Sequence, residues 1–324
     1  MQYRTFGRTG WQVSEIGFGA WQLGGQWGDV DDDASVAALL HAFELGVNFV
    51  DTAQMYGTGH SEEVVGRSLR EWRGGTVYVA TKIQPISWPD PADPDPDMQG
   101  RYPRWYLREG TEAALRRLGV ERIDLMQLHC WLEDGLTSLD WLEVLNDLRN
   151  EGKIDRIGVS LRDFKPHEGV RLARYGLVDS QQVIYNVFEQ RAQDELFPAG
   201  EATGTAMIAR VPLDSGALSG AWTADTYASW QPGSQQHTMF RGERFAQTLE
   251  RVEALQEVCA PYYPTLAEAA TRFALSEPGV STIIPGMRSR GRVDENVAFS
   301  DGQPFPAELK AALGAHGWIR DYYH

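Results

Sequence analysis

Short apolar runs alternate with longer stretches whose apolar residues recur at helical spacing, and this rhythm runs through nearly the whole chain. Two short alternating runs around Gly7-Arg8-Thr9-Gly10 predict a hairpin within residues 1–16. Ile16-Gly17-Phe18-Gly19 then reads as a strand, 33–45 as a helix and Val47-Asn48-Phe49-Val50 as the next strand. The same alternation predicts helices over 61–72, 106–118, 139–150 and 165–175, with strands at 77–80, 123–128, 154–159 and 181–185. Ser61 is the expected N-cap of the helix it opens, with two Glu in the first turn. A helix after Arg191, a strand at 206–209, a helix opening at Thr265 with Glu268 closing a capping box, and a strand at 281–284 complete the series.

Strands and helices that alternate over the full length, with no segment of shifted composition, predict one parallel (β/α)8 TIM barrel over 1–324 with the hairpin in front of it. The rival is an open, doubly wound sheet. Its glycine fingerprint is incomplete, because Gly17-Phe18-Gly19-Ala20-Trp21-Gln22 lacks the third Gly. Residues 85–103, rich in Pro and Asp, and residues 216–242, which carry Trp222 and Trp230, interrupt the rhythm and read as long loops. Both follow strands, so on a barrel they lie on the catalytic face as lids or binding surfaces; a solvated insertion is the alternative for the acidic one.

Composition narrows the partners. Lys and Arg number 30 against 45 Asp and Glu, a net charge of -15 that argues against a polyanion-binding surface, so no nucleic-acid partner is expected. The two cysteines, Cys130 and Cys259, are far apart and suggest neither a disulfide framework nor a zinc knuckle; a reducing cytoplasm fits. The first residues lack a charged segment followed by an apolar core, and no run of about 18 apolar residues occurs, so neither a signal peptide nor a membrane partner is expected.

The candidate chemistry sits at or just beyond the ends of the second, third and fourth predicted strands: Asp51, Tyr56, Lys82 and His129. Each alone has a plain reading as a loop aromatic, a strand-end charge or a core histidine. Together, on strand ends that a barrel brings close, they compose a working acid. A free Tyr, with a pKa of about 10, needs a neighbour that favours phenolate; Lys82 supplies it, Asp51 holds the ammonium, and His129 is a further donor toward a substrate oxygen. The His residues are scattered and Lys82 would repel a cation among these groups, so no metal site is expected.

The sequence resembles the aldo-keto reductases. The likeness rests on Gly17-Phe18-Gly19-Ala20-Trp21, Asp51-Thr52-Ala53 with Tyr56-Gly57, Ala80-Thr81-Lys82, Leu128-His129, Gly158-Val159-Ser160, Gln182 with Tyr185-Asn186, Pro212-Leu213, and Ile284-Pro285-Gly286 with Glu295-Asn296. It implies a nicotinamide cofactor bound extended, with Asp51, Tyr56, Lys82 and His129 as the catalytic tetrad: hydride passes from nicotinamide C4 to a carbonyl carbon while Tyr56 protonates the oxygen. It also implies that Ser160 and Gln182 hold the carboxamide, that Leu213, Ser215 and Gly216 pass over the pyrophosphate, and that Glu295 and Asn296 meet adenine. Gly19, Trp21, Asp51 and Arg210 complete the implied contacts. Arg292, with Arg288 and Arg290 nearby, matches the position that binds the 2′-phosphate, which favours NADPH (NADP+) over NADH.

Two positions depart from the family pattern. Leu161 replaces an Asn that contacts the carboxamide, and Arg210 replaces a ring-stacking Tyr; its guanidinium could stack on nicotinamide or reach a substrate oxygen. Trp21, Trp88 and Trp131, with Tyr56 and His129, are the expected walls for a small-molecule carbonyl or sugar substrate. A dehydrogenase running toward oxidation and a cofactor-sensing regulatory subunit are the alternatives.

Overall fold

The chain opens with an antiparallel hairpin, β1 (Tyr3–Thr5) and β2 (Gln12–Ser14), with Arg4 opposite Val13. Its turn seats tightly: Gly7 has φ 50°, and a Cβ there would stand 2.3 Å from the Gly204 carbonyl. Eight parallel strands follow, neighbours in the sheet in chain order: β3 (Phe18–Gly19), β4 (Phe49–Asp51), β5 (Tyr78–Ile83), β6 (Ile123–Trp131), β7 (Ile154–Leu161), β8 (Ser180–Ile184), β9 (Ala206–Arg210) and β10 (Thr282–Ile283). Parallel bridges Ile16–Ile283 and Gly19–Gly286 tie the first strand to the last. Gly17 N donates to Ile283 O at 2.8 Å and Gly19 N to Pro285 O at 2.9 Å, so the sheet closes as a (β/α)8 barrel. Gly19 permits that closure, since a Cβ there would meet Ile284 O at 2.5 Å. The computed structural model describes residues 1–90, 96–98 and 100–319.

Helices α1 (Asp32–Glu44), α2 (His60–Glu71), α3 (Arg104–Leu118), α4 (Asp140–Asn150), α5 (Val170–Tyr175) and α6 (Leu196–Thr203) alternate with strands β3 to β9. Between β9 and β10 lie α7 (Thr226–Ser229), α8 (Gln235–Met239), α9 (Arg244–Cys259) and α10 (Leu266–Leu275); α11 (Arg290–Ala298) and α12 (Ala307–Gly314) follow β10. No described helix is long and apolar enough to cross a membrane.

Strand side chains alternate between two faces, and the alternation separates two cores. Phe49, Ala80, Leu125, Ala206 and Ile208 point toward the barrel axis and pack with Phe6 and Val13 of the hairpin, which plugs the N-terminal end. Val50, Val79, Met126, Leu128, Ile157, Val159, Met207 and Ile283 point outward against the helices. Each such buried aliphatic side chain contributes about 1.5–3 kcal/mol relative to exposure. The inward parity that supplies apolar residues at the bottom supplies polar ones at the top: Asp51, Lys82, Gln127, Ser160 and Gln182 are all buried there.

Several expectations need correction. Ser61 does not cap α2; Gly59, at φ 97°, precedes the helix, and the buried Ser61 hydroxyl instead donates to Ala20 O (2.8 Å) and meets Thr52 Oγ1 (2.9 Å), joining the loops after β3 and β4. The stretch 165–175 is a 3-10 turn, Pro166–Gly169, leading into the short α5. The 216–242 stretch is not structureless: it holds α7 and α8, with Trp222 and Trp230 packed around Phe240 and Phe245. In the 85–103 stretch, residues 91–95 and 99 lie outside the described residues, while Met98 and Tyr102 are buried and Arg101 donates to Ser87 O at 2.7 Å. Those anchored parts are not a solvated insertion.

Candidate active site

The four candidate groups come from neighbouring strands at the C-terminal end of the barrel. Asp51 closes β4, Lys82 lies one residue before the end of β5, and His129 shares the inward parity of Leu125 and Gln127 on β6. Tyr56 is carried by the reversal between β4 and α2, where Gly57 (φ 63°), Thr58 (φ 55°) and Gly59 (φ 97°) are all left-handed. A Cβ on Gly57 would stand 2.5 Å from Gly24 O. That close approach brings the β3 loop against Tyr56, and Trp21 stacks on the phenol ring at 5.9 Å.

Lys82 is the hub. Its Nζ donates to Asp51 Oδ2 at 2.6 Å, to Thr52 O at 2.9 Å and to Tyr56 Oη at 3.3 Å, and the residue is 1% exposed. Asp51 Oδ1 accepts from Gln182 Nε2 at 2.8 Å and from Gln127 Nε2 at 3.2 Å. His129 stands edge-on to Tyr56 at 5.7 Å and Trp88 lies across His129 at 5.7 Å. Gln127 was not foreseen from sequence; its position two residues before His129 on the same strand face was the available signal.

Burial pushes the Tyr56 phenol above its ordinary value, and the opposing pull of the Lys82 ammonium is smaller. The expected influence of Lys82 is present but does not win, so Tyr56 carries its proton at neutral pH. For Lys82, burial disfavours the charge, yet Asp51 and Tyr56 together hold it above the ordinary lysine value. Burial, reinforced by the Lys82 and Arg210 cations, holds His129 well below the usual histidine range, so the imidazole is neutral. Its Nδ1 is buried without a hydrogen-bond partner among the described residues.

These groups open into a cleft of about 1240 Å³. Gly19, Trp21, Asp51, Ser160, Gln182, Arg210, Leu213, Ser215, Gly216, Arg288, Arg292, Glu295 and Asn296 all border it, as do Tyr56, Trp88 and His129. The residues fit an extended dinucleotide. Successive left-handed residues Asp214 (φ 49°), Ser215 (φ 56°) and Gly216 (φ 103°) turn the backbone sharply at the cleft edge, where Ser215 and Gly216 face the space a pyrophosphate would take. At the far end Asn296 Oδ1 is buried without a partner among the described residues, an acceptor suited to an amino-bearing base. Arg292 pairs with Glu295, and Arg288 donates to Trp27 O at 3.4 Å.

Arg210 is tied to Asp163 (2.6 Å) and Leu161 O (3.0 Å), which fixes one edge of its guanidinium at the cleft wall. Trp131 does not join that wall. It is fully buried at the end of β6, donates its indole N–H to Glu168 O at 3.0 Å and packs on Trp141, because the bulge between Leu128 and Trp131 turns it toward the helices. Trp27, beside Trp21 at 4.9 Å, lines the cleft instead. Cys130 is buried in packing that pushes its thiol up to about 12.

The closed (β/α)8 barrel thus carries a buried Tyr–Lys–Asp group and a neutral His at the head of a long cleft. The Aldo/keto reductase family model matches residues 15–316, and the chain belongs to that family of oxidoreductases. It is 30% identical over 306 residues to the NADH-specific methylglyoxal reductase of Escherichia coli K12, covering 90% of this chain and 91% of that protein. A probable voltage-gated potassium channel subunit beta of Arabidopsis thaliana is 28% identical over 315 residues, covering 94% and 92%. Among solved structures, a glycerol dehydrogenase from Gluconobacter oxydans superposes with a TM-score of 0.76 at 28% identity, covering 94% and 92%.

Proposed function

We propose that this chain is a cytoplasmic, single-domain NADPH-dependent reductase of a small aldehyde or ketone, keto-sugars included, with Tyr56 as the general acid. The observation that carries the reading is Lys82 Nζ placed between Asp51 and Tyr56. When bound, the nicotinamide cofactor supplies the hydride. Tyr56 Oη–H gives its proton to the substrate oxygen, and the phenolate left behind sits 3.3 Å from the Lys82 ammonium. At an effective dielectric of 20 that attraction is on the order of 5 kcal/mol, enough to lower the barrier to proton transfer appreciably. Neutral His129 offers a second hydrogen bond to the same oxygen, and Trp21 and Trp88 line the cleft where they would flank the carbonyl. The same groups serve alcohol or sugar oxidation when Tyr56 is deprotonated.

Arg288 and Arg292, at the adenosine end of the cleft in a chain of net charge -15, support the preference for NADPH. The NADH-specific relative makes cofactor choice the first point to measure. Titrating indole fluorescence with NADPH and then NADH, followed by methylglyoxal and glyceraldehyde turnover, tests the reading. Tight NADPH binding with turnover supports it, and binding of neither cofactor overturns it. Tyr56→Phe should keep the fold and lower turnover by about 10² to 10⁴. A cofactor-sensing regulatory role is the second reading, favoured by the likeness to the potassium-channel β subunit; it predicts cofactor binding, slow turnover and a co-purifying partner.

A further inference from the structure

Asp51 is held at both oxygens. Oδ2 faces Lys82, while Oδ1 accepts from Gln182 and Gln127. A carboxylate only accepts, so each amide must turn its NH2 toward Asp51, and this fixes the side on which each amide oxygen lies. Gln127 is fully buried, and its Oε1 has no hydrogen-bond partner among the described residues; nor has the hydroxyl of Ser180. The strand register aligns the two: Gln127 of β6 pairs with Gly158 of β7, and Gly158 pairs with Ser180 of β8. A Cβ on Gly158 would lie 2.4 Å from Ser180 Oγ and 3.1 Å from Gln127 Cγ. A buried acceptor and a buried hydroxyl, not bonded to each other, therefore flank Gly158, which has no side chain.

We propose that Gln127 is a positioning residue of the proton-transfer centre: its amide, donating to Asp51 Oδ1, fixes the Asp51 carboxylate so that Lys82 stays against Tyr56. The proposal rests on the reductase reading given above. Its physical content is a sign. Removing the Gln127 donor leaves Asp51 less compensated and freer to rotate. A less compensated anion opposes phenolate at Tyr56, and a looser Asp51 holds Lys82 less firmly beside it, so both effects keep the proton on Tyr56. Glycine at 158 also matters, since any side chain there would drive Ser180 and Gln127 apart.

The test uses Gln127→Met, which keeps volume and removes the amide, and Gln127→Asn, which keeps an amide but draws it back from Asp51, in the full-length chain. In cofactor-free protein labelled with [13Cζ]tyrosine, the Tyr56 resonance is assigned by its loss in Tyr56→Phe. Near the ordinary tyrosine pKa of about 10, the phenolate to phenol ratio at Tyr56 should fall about threefold in Gln127→Met and less, in the same direction, in Gln127→Asn. The kcat for carbonyl reduction should fall about tenfold, with the KM for cofactor changed less than about twofold. An unmoved Tyr56 titration in Gln127→Met overturns the proposal, even if kcat drops, because a purely structural role would leave it in place. Should Gln127→Met not fold, an unmoved titration in Gln127→Asn overturns it equally. Wild-type protein without Tyr56-dependent turnover would sink the reductase reading separately, while the cofactor-free titration still decides the role of Gln127.

Discussion

Lys82→Met is the sharpest perturbation, because it separates what the Lys82 ammonium does for folding from what it does for chemistry. Lys82 is 1% exposed and Asp51 2%, so methionine fills the space of the alkyl stem and leaves a buried carboxylate without its cation. Removing one partner of such a pair costs about 3–5 kcal/mol. Gln127 and Gln182 still donate to Asp51 Oδ1, which places the loss near the lower end, about 3 kcal/mol, or about 4 °C in Tm for a chain of this size. Asp51→Asn in the same protein removes the stranded charge, so Lys82→Met with Asp51→Asn should be more stable than Lys82→Met alone, by about 1–2 kcal/mol in a urea-denaturation cycle.

The catalytic effect has a different size. The Coulomb attraction at 3.3 Å acts fully only on a complete phenolate, and in the transition state the proton is partly transferred. A loss of about 3–4 kcal/mol of transition-state stabilisation follows, or about 10² to 10³ in kcat for methylglyoxal reduction by the single variant. The double variant, though steadier, should regain no activity, since it still lacks the cation. Recovery of both stability and turnover in the double variant would refute the reasoning, for it would mean that Lys82 only neutralises Asp51.

Three further outcomes follow from the same geometry. Arg288→Ala with Arg292→Ala should weaken NADPH about tenfold or more in a fluorescence titration while leaving NADH nearly unchanged; equal weakening of both would remove the 2′-phosphate role. Because burial and the neighbouring cations depress His129, the unfolded chain takes up a proton there that the folded chain refuses. Its contribution to stability is complete above about pH 6.5 and is lost as pH falls, so Tm should drop less between pH 7.5 and 5 in His129→Gln than in wild type; parallel curves would contradict the shift. Trp131→Phe should destabilise the fold by about 1–3 kcal/mol without changing KM for a carbonyl substrate, since its indole packs on Trp141 away from the cleft.

The barrel was legible because it rests on local patterns. Apolar runs such as Val47–Val50 and the helical spacing of 106–118 depend on near neighbours, and eight repetitions leave few topologies. What escaped depends on contacts made across the chain. Ser61 has the residue type of a cap, yet Gly59 turns the chain into α2 one residue early and frees the Ser61 hydroxyl for Ala20, 41 residues away. Trp131 follows His129 by two positions and by simple alternation would share its face; the register shift before it reverses that, and a bulge leaves no mark in composition.

The site divides the same way. The convergence of Asp51, Tyr56, Lys82 and His129 was legible from their places at or just beyond strand ends, because the barrel brings strand ends together. The balance among them was not. Whether Tyr56 is on net more or less acidic than a free phenol depends on the depth of burial against one ammonium 3.3 Å away, and sequence encodes neither quantity. Burial prevails, which leaves the resting chain with a protonated phenol beside an ammonium, the arrangement that the proposed acid role requires. Gln127 and Gln182 belong to the same design, since they compensate Asp51 from strands 76 and 131 residues further along. The Asp51 carboxylate that steadies Lys82 also presses its charge on Tyr56, and in the proposed mechanism the amides beneath it limit that pressure, so the acid answers to them as well as to the lysine beside it.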